Sequence, residues 1–298
     1  MPTSRSVIRN VHLYDPSRPN DPLGGLYLNS SVTRKTFLCM LEIVIRANSP
    51  YSVFLRGTEV PLASTDDPLQ AGHYDIVCDV PGGMITVTDE RSIARVLSRS
   101  VSTRRNRNFR EQVRKRDGTC VITGLDNPVA FINDWTSFEA AHIFPLSHEE
   151  LFRSLNYPQF VTNKSDETDT GINSCQNGLL MRSNIHDLFD AFKFSIDPDD
   201  DYKITCFSID VDGIDGRTLD PVCRDPRDER RVVDEFLRWH FRQAVLANVK
   251  GEGESVFEFD FPDGSDMVGE IISGPRPGQR MEAELFMRLS SVSSISSD

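Results

Sequence analysis

The sequence has few cysteines, and no two of them form a Cys-x-x-Cys pair. The six are scattered along 298 residues: Cys39, Cys78, Cys120, Cys175, Cys206 and Cys223. Zinc ribbons need closely spaced thiolate pairs, and disulfide scaffolds need a much higher cysteine density. We therefore expect neither class and no structural zinc. Cys120 and Cys175 are expected to be small buried hydrophobic residues.

Long apolar runs are also lacking. The longest, from Phe37 to Ile45, is interrupted by Glu42 and is too short to cross a bilayer. Residues 1–14 lack the apolar stretch that a secretion signal needs. We therefore expect an intracellular protein, in the nucleus or the cytoplasm, without membrane contact.

Positive charge is scarce overall, because the formal net charge is −12. A field of that sign repels nucleic acid, so any such contact needs a local basic patch. Residues 91–116 supply one, with ten basic residues and Glu111 as the single acid, a local charge of +9 against −21 for the remainder. The alternative is a solvated helix that pairs with the acidic remainder. The predicted phosphate contacts are Arg104, Arg105, Arg107, Arg110, Arg114, Lys115 and Arg116.

Residues 1–90 have the pattern of a small mixed α+β domain. Strands are predicted at 7–14, 26–29, 52–55, 74–78 and 84–87, with a turn-rich loop at 15–25. Thr33 is placed to cap a helix that carries Phe37 and Leu41 on its apolar face. The order β-β-α-β-β is compatible with a β-grasp-like domain or with another α+β arrangement. It predicts either a module that binds a protein partner or a domain that packs on the rest of the chain.

Four further segments are predicted after this domain. A basic helical linker covers 91–118, and a second α+β core covers 119–210. A C-terminal helix with its extension covers 211–280, and a partly disordered tail covers 281–298. On the predicted helix, His240 lies on a broad apolar face and is expected to be a packed side chain.

Three segments of the second core combine histidine, asparagine and carboxylate residues with short apolar elements. A basic helix runs from Phe109 into a turn at Cys120. Residues 138–146 are predicted to form a short strand that ends in His142. Residues 177–190 are predicted to form a helix, with Asn177 near its start and His186 nine residues later.

The order His142, Asn177, His186 resembles the HNH endonuclease family, whose fold is a ββα-metal core. The phrases Cys-Val-Ile-Thr-Gly at 120–124 and Ile-His-Asp-Leu-Phe-Asp at 185–190 are similar to one branch, found in fungal proteins and lacking the zinc-ribbon cysteines. The resemblance covers residues 105–210. Apolar burial is then expected to replace the zinc, through Phe131, Phe138, Ile143, Leu179, Leu180, Ile185 and Phe189.

The resemblance implies a role for each of the three residues. His142 matches the general base that takes a proton from water, a task that suits an imidazole. His186 matches a ligand of the divalent metal, which polarises the scissile phosphate. Asn177 matches the asparagine that usually braces the loop between the two strands and in some members binds the metal.

One position departs from the family pattern. The residue before the base is often an Asp or a His that binds the metal, and here it is Ala141. We expect Asp190 or Asn177 to complete the site with His186, since Asp190 lies one helical turn beyond it. Glu139 is three residues before the base and is expected to point to the other side of the strand. A site with so few protein ligands favours Mg²⁺ or Mn²⁺.

Three functional hypotheses remain open at this level. The first is a metal-dependent endonuclease acting on DNA, with RNA as the other allowed substrate. The second, motivated by Ala141, is a catalytically weakened protein of the same fold that binds nucleic acid or a protein partner without cleavage. In the third, the order of the residues is a coincidence, and His142 and His186 lie far apart.

Overall fold

A computed structural model describes residues 3–93, 104–164, 169–251, 253, 255–256, 267–273, 277–278 and 281. The predicted tail at 281–298 lies outside these residues except for Met281, and so does the part of the basic segment at 94–103. No helix formed by the described residues combines the length and the apolar character that crossing a bilayer requires. The elements are helical and extended in comparable measure, as the predicted α+β class requires.

The N-terminal domain is a mixed sheet crossed by one helix. Its elements are β1 (Thr3–Ser4), β2 (Val11–Tyr14), β3 (Pro22–Leu26), α1 (Arg34–Val44), β4 (Ile45–Ala47), β5 (Tyr51–Leu55), β6 (Gly72–Cys78) and β7 (Ile85–Val87). The four-stranded sheet has the order β3-β2-β6-β5, with β2 and β6 parallel at its centre and the outer pairs antiparallel. This order agrees with the β-grasp-like expectation. Thr33 caps α1 as predicted, because its side chain accepts a hydrogen bond from Thr36 N.

The second strand lies earlier than predicted, at 22–26 instead of 26–29. The glycines of this stretch indicated a loop, but they serve a close contact with the chain after the C-terminal helix. A Cβ on Gly24 would lie 2.2 Å from the carbonyl oxygen of Val249. Gly25 N donates to that same oxygen at 2.9 Å. A strand without side chains at these points is therefore required by a distant segment.

The second core contains two antiparallel hairpins and three helices. Its elements are α2 (Arg104–Asp117), β8 (Phe138–His142), α3 (Glu149–Ser154), β9 (Gly178–Arg182), α4 (Ser183–Asp190), β10 (Phe194–Asp197) and β11 (Lys203–Cys206). Strand β8 pairs with β9, and β10 pairs with β11. Both α2 and α4 pack against the β8–β9 hairpin. The hairpin followed by α4 forms the ββα unit.

Helix α5 (Asp234–Asn248) joins the two cores. Its first half buries Phe236 and Leu237 in the second core, and its second half buries Phe241 and Val245 in the N-terminal domain. The two short C-terminal elements are β12 (Ser255–Val256), which pairs with β1, and α6 (Met267–Ser273). His240 is fully buried on α5, as the packed-histidine prediction states. It hydrogen-bonds Ser195 Oγ at 2.7 Å and stacks on Phe189 of α4 at 3.6 Å between ring centroids.

The predicted apolar core is confirmed with one exception. Phe138, Ile143, Leu179, Leu180, Ile185 and Phe189 are buried, and so are Cys120 and Cys175. Phe131 is 85% exposed, so its predicted burial is wrong. Phe131 is apolar, but the loop that carries it holds the side chain in solvent.

Candidate active site

His142 closes strand β8, as predicted, and its ring lies against α2. The imidazole stacks on Phe109 with 3.8 Å between ring centroids and 9° between ring planes. His142 pairs in register with Gly178 of β9. A Cβ on Gly178 would lie 2.5 Å from the Phe109 ring, so the glycine allows the aromatic ring to approach this closely. The contact fixes the plane of the histidine ring.

Asn177 is a bracing residue within the core. It ends a 3₁₀ turn before β9, so the predicted helix around Asn177 is wrong, and the helix begins only at Ser183. Its Oδ1 accepts from Phe144 N at 2.8 Å, and its Nδ2 donates to the carbonyl oxygens of Phe144 and Ile172, both at 2.9 Å. Its backbone carbonyl accepts from Ile143 N at 3.0 Å. The chain directly after His142 is thereby held in place.

These contacts also correct the assignment of Asn177 as a metal ligand. The residue is 0% exposed, and its side-chain oxygen already accepts a hydrogen bond from the backbone. Because the residue is completely buried, this oxygen has no open path to a solvated cation. Asn177 therefore supports the site from below and does not line it.

His186 lies between two carboxylates. Its Nδ1 is 2.7 Å from Glu139 Oε2, and its Nε2 is 3.3 Å from Asp190 Oδ2. Asp190 is one turn further along α4, whereas Glu139 comes from strand β8. The hydrogen bond with His186 holds the pKa of Glu139 below its usual value, against a smaller opposing effect of burial. Glu139 is therefore a carboxylate at neutral pH.

Glu139 belongs to the site, although the alternation of side chains along β8 is as expected. Side chains three apart on a strand point to opposite faces, so Glu139 points away from His142. That opposite face is the one covered by α4, where His186 lies. Glu139 and Ala141 are two residues apart and share this face. The signal that could have identified Glu139 was therefore its spacing from Ala141, the position where a ligand is usually found.

The residues present fit a divalent cation with few protein ligands. Two ligands at right angles on Mg²⁺ are about 3.0 Å apart, from metal–ligand distances of about 2.1 Å. The distance of 3.3 Å between His186 Nε2 and Asp190 Oδ2 is close to that value. Across the part of the chain that the structure describes, no group of three His, Cys, Asp or Glu side chains is placed to hold a metal ion. The side chains thus offer a two-donor site.

Glu139 would orient His186 in such a site without itself binding the cation. A ligating histidine usually donates its second ring N–H to a carboxylate, which fixes the tautomer and the ring orientation. The contact between Glu139 and His186 Nδ1 has this arrangement and leaves Nε2 for the cation.

Helix α2 carries the predicted phosphate contacts, and most of its described cations reach solvent. Arg107 and Lys115 are exposed, while Arg110 and Arg114 are half-buried. Burial lowers the pKa of Arg114, and the nearby Arg110 cation adds to this effect. Two cations placed in this way are stabilised by a bound anion. Arg104 and Arg105 belong to the first turn of the same helix.

Arg116 must be removed from the phosphate-contacting set. Its side chain is 0% exposed and is paired with Asp117 at 2.6 Å. Its guanidinium also donates to the carbonyl oxygens of Cys175, Gly178 and Arg230. The charge pattern of 91–116 could not reveal this, because it does not distinguish the buried face of α2 from the exposed one. Arg116 holds the start of β9 in place.

Two protein families match separate parts of the chain. Residues 120–197 match the HNH endonuclease family, and residues 8–83 match a domain of unknown function, DUF8573. No curated protein and no solved structure matches the chain. The HNH match spans β8, β9 and α4, and therefore includes His142, Asn177, His186 and Asp190.

Proposed function

We propose that the protein is a metal-dependent endonuclease that hydrolyses phosphodiester bonds in DNA. The observation that carries the proposal is that His186 lies between Glu139 and Asp190, within the segment that matches the HNH family. A histidine held by one carboxylate and placed beside a second is an arrangement suited to a divalent cation. When bound, the cation supplies charge stabilisation at the scissile phosphate and at the departing oxygen.

Each residue has a separate task in this proposal. His186 and Asp190 would hold the cation, and so small a set of protein donors suits Mg²⁺ or Mn²⁺, which keep several water ligands. Glu139 positions His186 through the Nδ1 contact. The family resemblance assigns His142 the task of taking the proton from the attacking water. Because its ring faces α2, across β8 from Glu139 and His186, this task requires the water to lie at the end of β8, where His142 is the last residue.

The basic helix supports DNA as the substrate. Phe109, on which His142 stacks, belongs to α2, and the same helix presents Arg107, Arg110, Arg114 and Lys115. Cations of this kind bind phosphates and release counterions, which offsets the repulsion from the net charge of −12. Affinity for DNA should therefore fall steeply with salt.

Nicking of a supercoiled plasmid with Mg²⁺ or Mn²⁺ tests the metal site. His186→Ala and Asp190→Asn should abolish nicking, while Glu139→Gln should raise the metal concentration needed for half-maximal rate by about 10–100-fold. Asp187→Asn is the matched control, because Asp187 is an exposed carboxylate on the same helix. Equal rates for the His186, Asp190 and Asp187 variants would contradict the assigned ligands.

His142 is tested separately, because it lies on the face of β8 opposite to Glu139. His142→Ala should lower the rate by about 10²–10⁴-fold, the usual contribution of a general base. His148→Ala, a half-buried histidine just beyond β8, serves as the control. Nicking that survives the loss of His142 would refute its role as the base.

The second candidate function is binding without cleavage, and Ala141 is the observation that favours it. Ala141 is buried at the position where the family often has a ligand, so the described site has two donors instead of three. Salt-dependent DNA binding with no cleavage under any divalent metal would support this function over the first.

A further inference from the structure

A loop between α2 and β8 displays large apolar side chains to solvent. Leu125 is 50% exposed, Phe131 is 85% exposed and Ile132 is 63% exposed. We call residues 125–135 the apolar loop. Apolar residues displayed together on one loop mark an interaction site more often than isolated exposed residues do.

Hydrogen bonds hold the apolar loop in a defined shape. Asn127 Nδ2 donates to the Asp134 carbonyl oxygen at 2.7 Å and closes the loop across its base. At the tip, Ile132 N donates to Val129 O at 3.1 Å, and Asn133 N donates to Ala130 O at 2.9 Å. The exposure of Phe131 therefore comes from a hydrogen-bonded 3₁₀ turn.

The Trp135 end of the apolar loop is attached to two elements of the candidate site. The Arg114 guanidinium of α2 lies 4.8 Å from the centre of the Trp135 ring. Phe138 N of β8 donates to the Trp135 carbonyl oxygen at 2.9 Å. The chain from Phe131 to Glu139 can span at most about 29 Å when fully extended, the length of roughly eight base pairs.

We propose that the apolar loop is a second contact with DNA, in which Phe131 and Ile132 insert at a base step and unstack it. This inference rests on the proposed function and specifies how its substrate is held. Cations on α2 would hold phosphates while the apolar tip enters between bases, a combination by which proteins open or bend a duplex. Asp126 and Asp134 on the loop are exposed, and the hydrogen bonds from Thr136 lower the pKa of Asp134. These two carboxylates oppose the contact, so it depends on the cations of α2 to hold the phosphates.

Duplexes that carry 2-aminopurine test the proposal, since the fluorescence of this base rises when it is unstacked. Binding is measured in EDTA so that cleavage does not interfere. Wild-type protein should raise the fluorescence at some positions of a scanned duplex. Phe131→Ala should remove that rise and weaken binding about 5–150-fold, the range for losing one base–aromatic stack. Val60→Ala is the matched control, because Val60 is 75% exposed in the N-terminal domain.

The outcomes separate this inference from the proposed function. If the wild type binds and nicks DNA but Phe131→Ala behaves like Val60→Ala, the inference is overturned and the nuclease proposal stands. If the wild type neither binds nor nicks DNA, the proposed function itself fails. If Phe131→Ala leaves DNA affinity unchanged but abolishes self-association or binding of another protein, the apolar loop is a protein contact and the inference is overturned.

Discussion

Replacing Arg116 with methionine removes a buried charge and keeps an unbranched side chain in the same space. In the native protein, Arg116 Nε and Nη2 donate to the two oxygens of Asp117 at 2.6 and 3.0 Å. The substitution leaves the Asp117 carboxylate buried without its cation, and it removes a donor from three carbonyl oxygens. Breaking a buried ion pair by removing one partner costs about 3–5 kcal/mol.

A loss of this size is a large share of the stability of a typical domain, which is about 5–15 kcal/mol. Urea denaturation of wild type and Arg116→Met measures it directly. Arg110→Met is the control, because Arg110 lies on the same helix with partial solvent access and its loss should cost under about 1 kcal/mol. DNA affinity should rank the variants in the opposite order, with Arg110→Met weakened and folded Arg116→Met unchanged.

The pH dependence gives a second, independent reading of the same substitution. Burial raises the pKa of Asp117, and the Arg116 cation opposes the rise. Without Arg116 the pKa of Asp117 in the folded state rises further. An acid whose pKa is higher in the folded state favours folding at low pH, and this contribution is lost as pH rises through the folded pKa. The stability gap to wild type should therefore widen as pH rises above the unfolded pKa of an aspartate, about 4. Arg116→Met that is as stable as Arg110→Met, or that loses DNA affinity while folded, would refute the structural assignment.

Three further substitutions probe the hairpin. Asn177→Ala should lower the free energy of unfolding by about 2–4 kcal/mol in urea denaturation, because it leaves buried backbone groups of Phe144 and Ile172 without their partner. Asn184→Ala is the control, since Asn184 is exposed. An equal cost for both variants would contradict the bracing role. Gly178→Ala should cost about 1–3 kcal/mol, since its Cβ would meet the Phe109 ring; a neutral result would show that α2 can move away. Glu139→Gln should lower the thermal midpoint at neutral pH but not at low pH: the pKa of Glu139 is lowered in the folded state, so its stabilising contribution is present above the unfolded pKa and lost as pH falls through the folded pKa. A gap that persists in acid would contradict this.

The local features of the site could be predicted from spacing alone. Strand β8 ends at His142 as expected, and His186 and Asp190 face the same way because residues four apart share one side of a helix. The cap at Thr33 and the packed His240 follow from equally local rules. Each of these predictions depends on residues within one or two turns of each other.

The wrong predictions share one cause. Periodicity tells on which side of a helix or strand a residue lies, but not what that side contacts. Arg116 belongs to a basic run but lies against the start of β9, and Phe131 is apolar but lies on an outward loop. Asn177 has an amide oxygen of the kind that can bind a metal, yet this oxygen accepts a hydrogen bond from the chain after His142. In all three, the role depends on whether a distant part of the chain covers the side chain or leaves it in solvent.

For this protein, the sequence by itself determined the family resemblance, the position of β8, and the placement of His186 and Asp190 on one side of a helix. Only the tertiary structure decided that Glu139 backs His186, that Asn177 braces instead of binding metal, and that α5 joins two cores. The physical reason is that short-range periodicity sets which side of an element a residue occupies. The packing of β8 between α2 and α4 then determines whether that side meets a carboxylate, a backbone carbonyl or water.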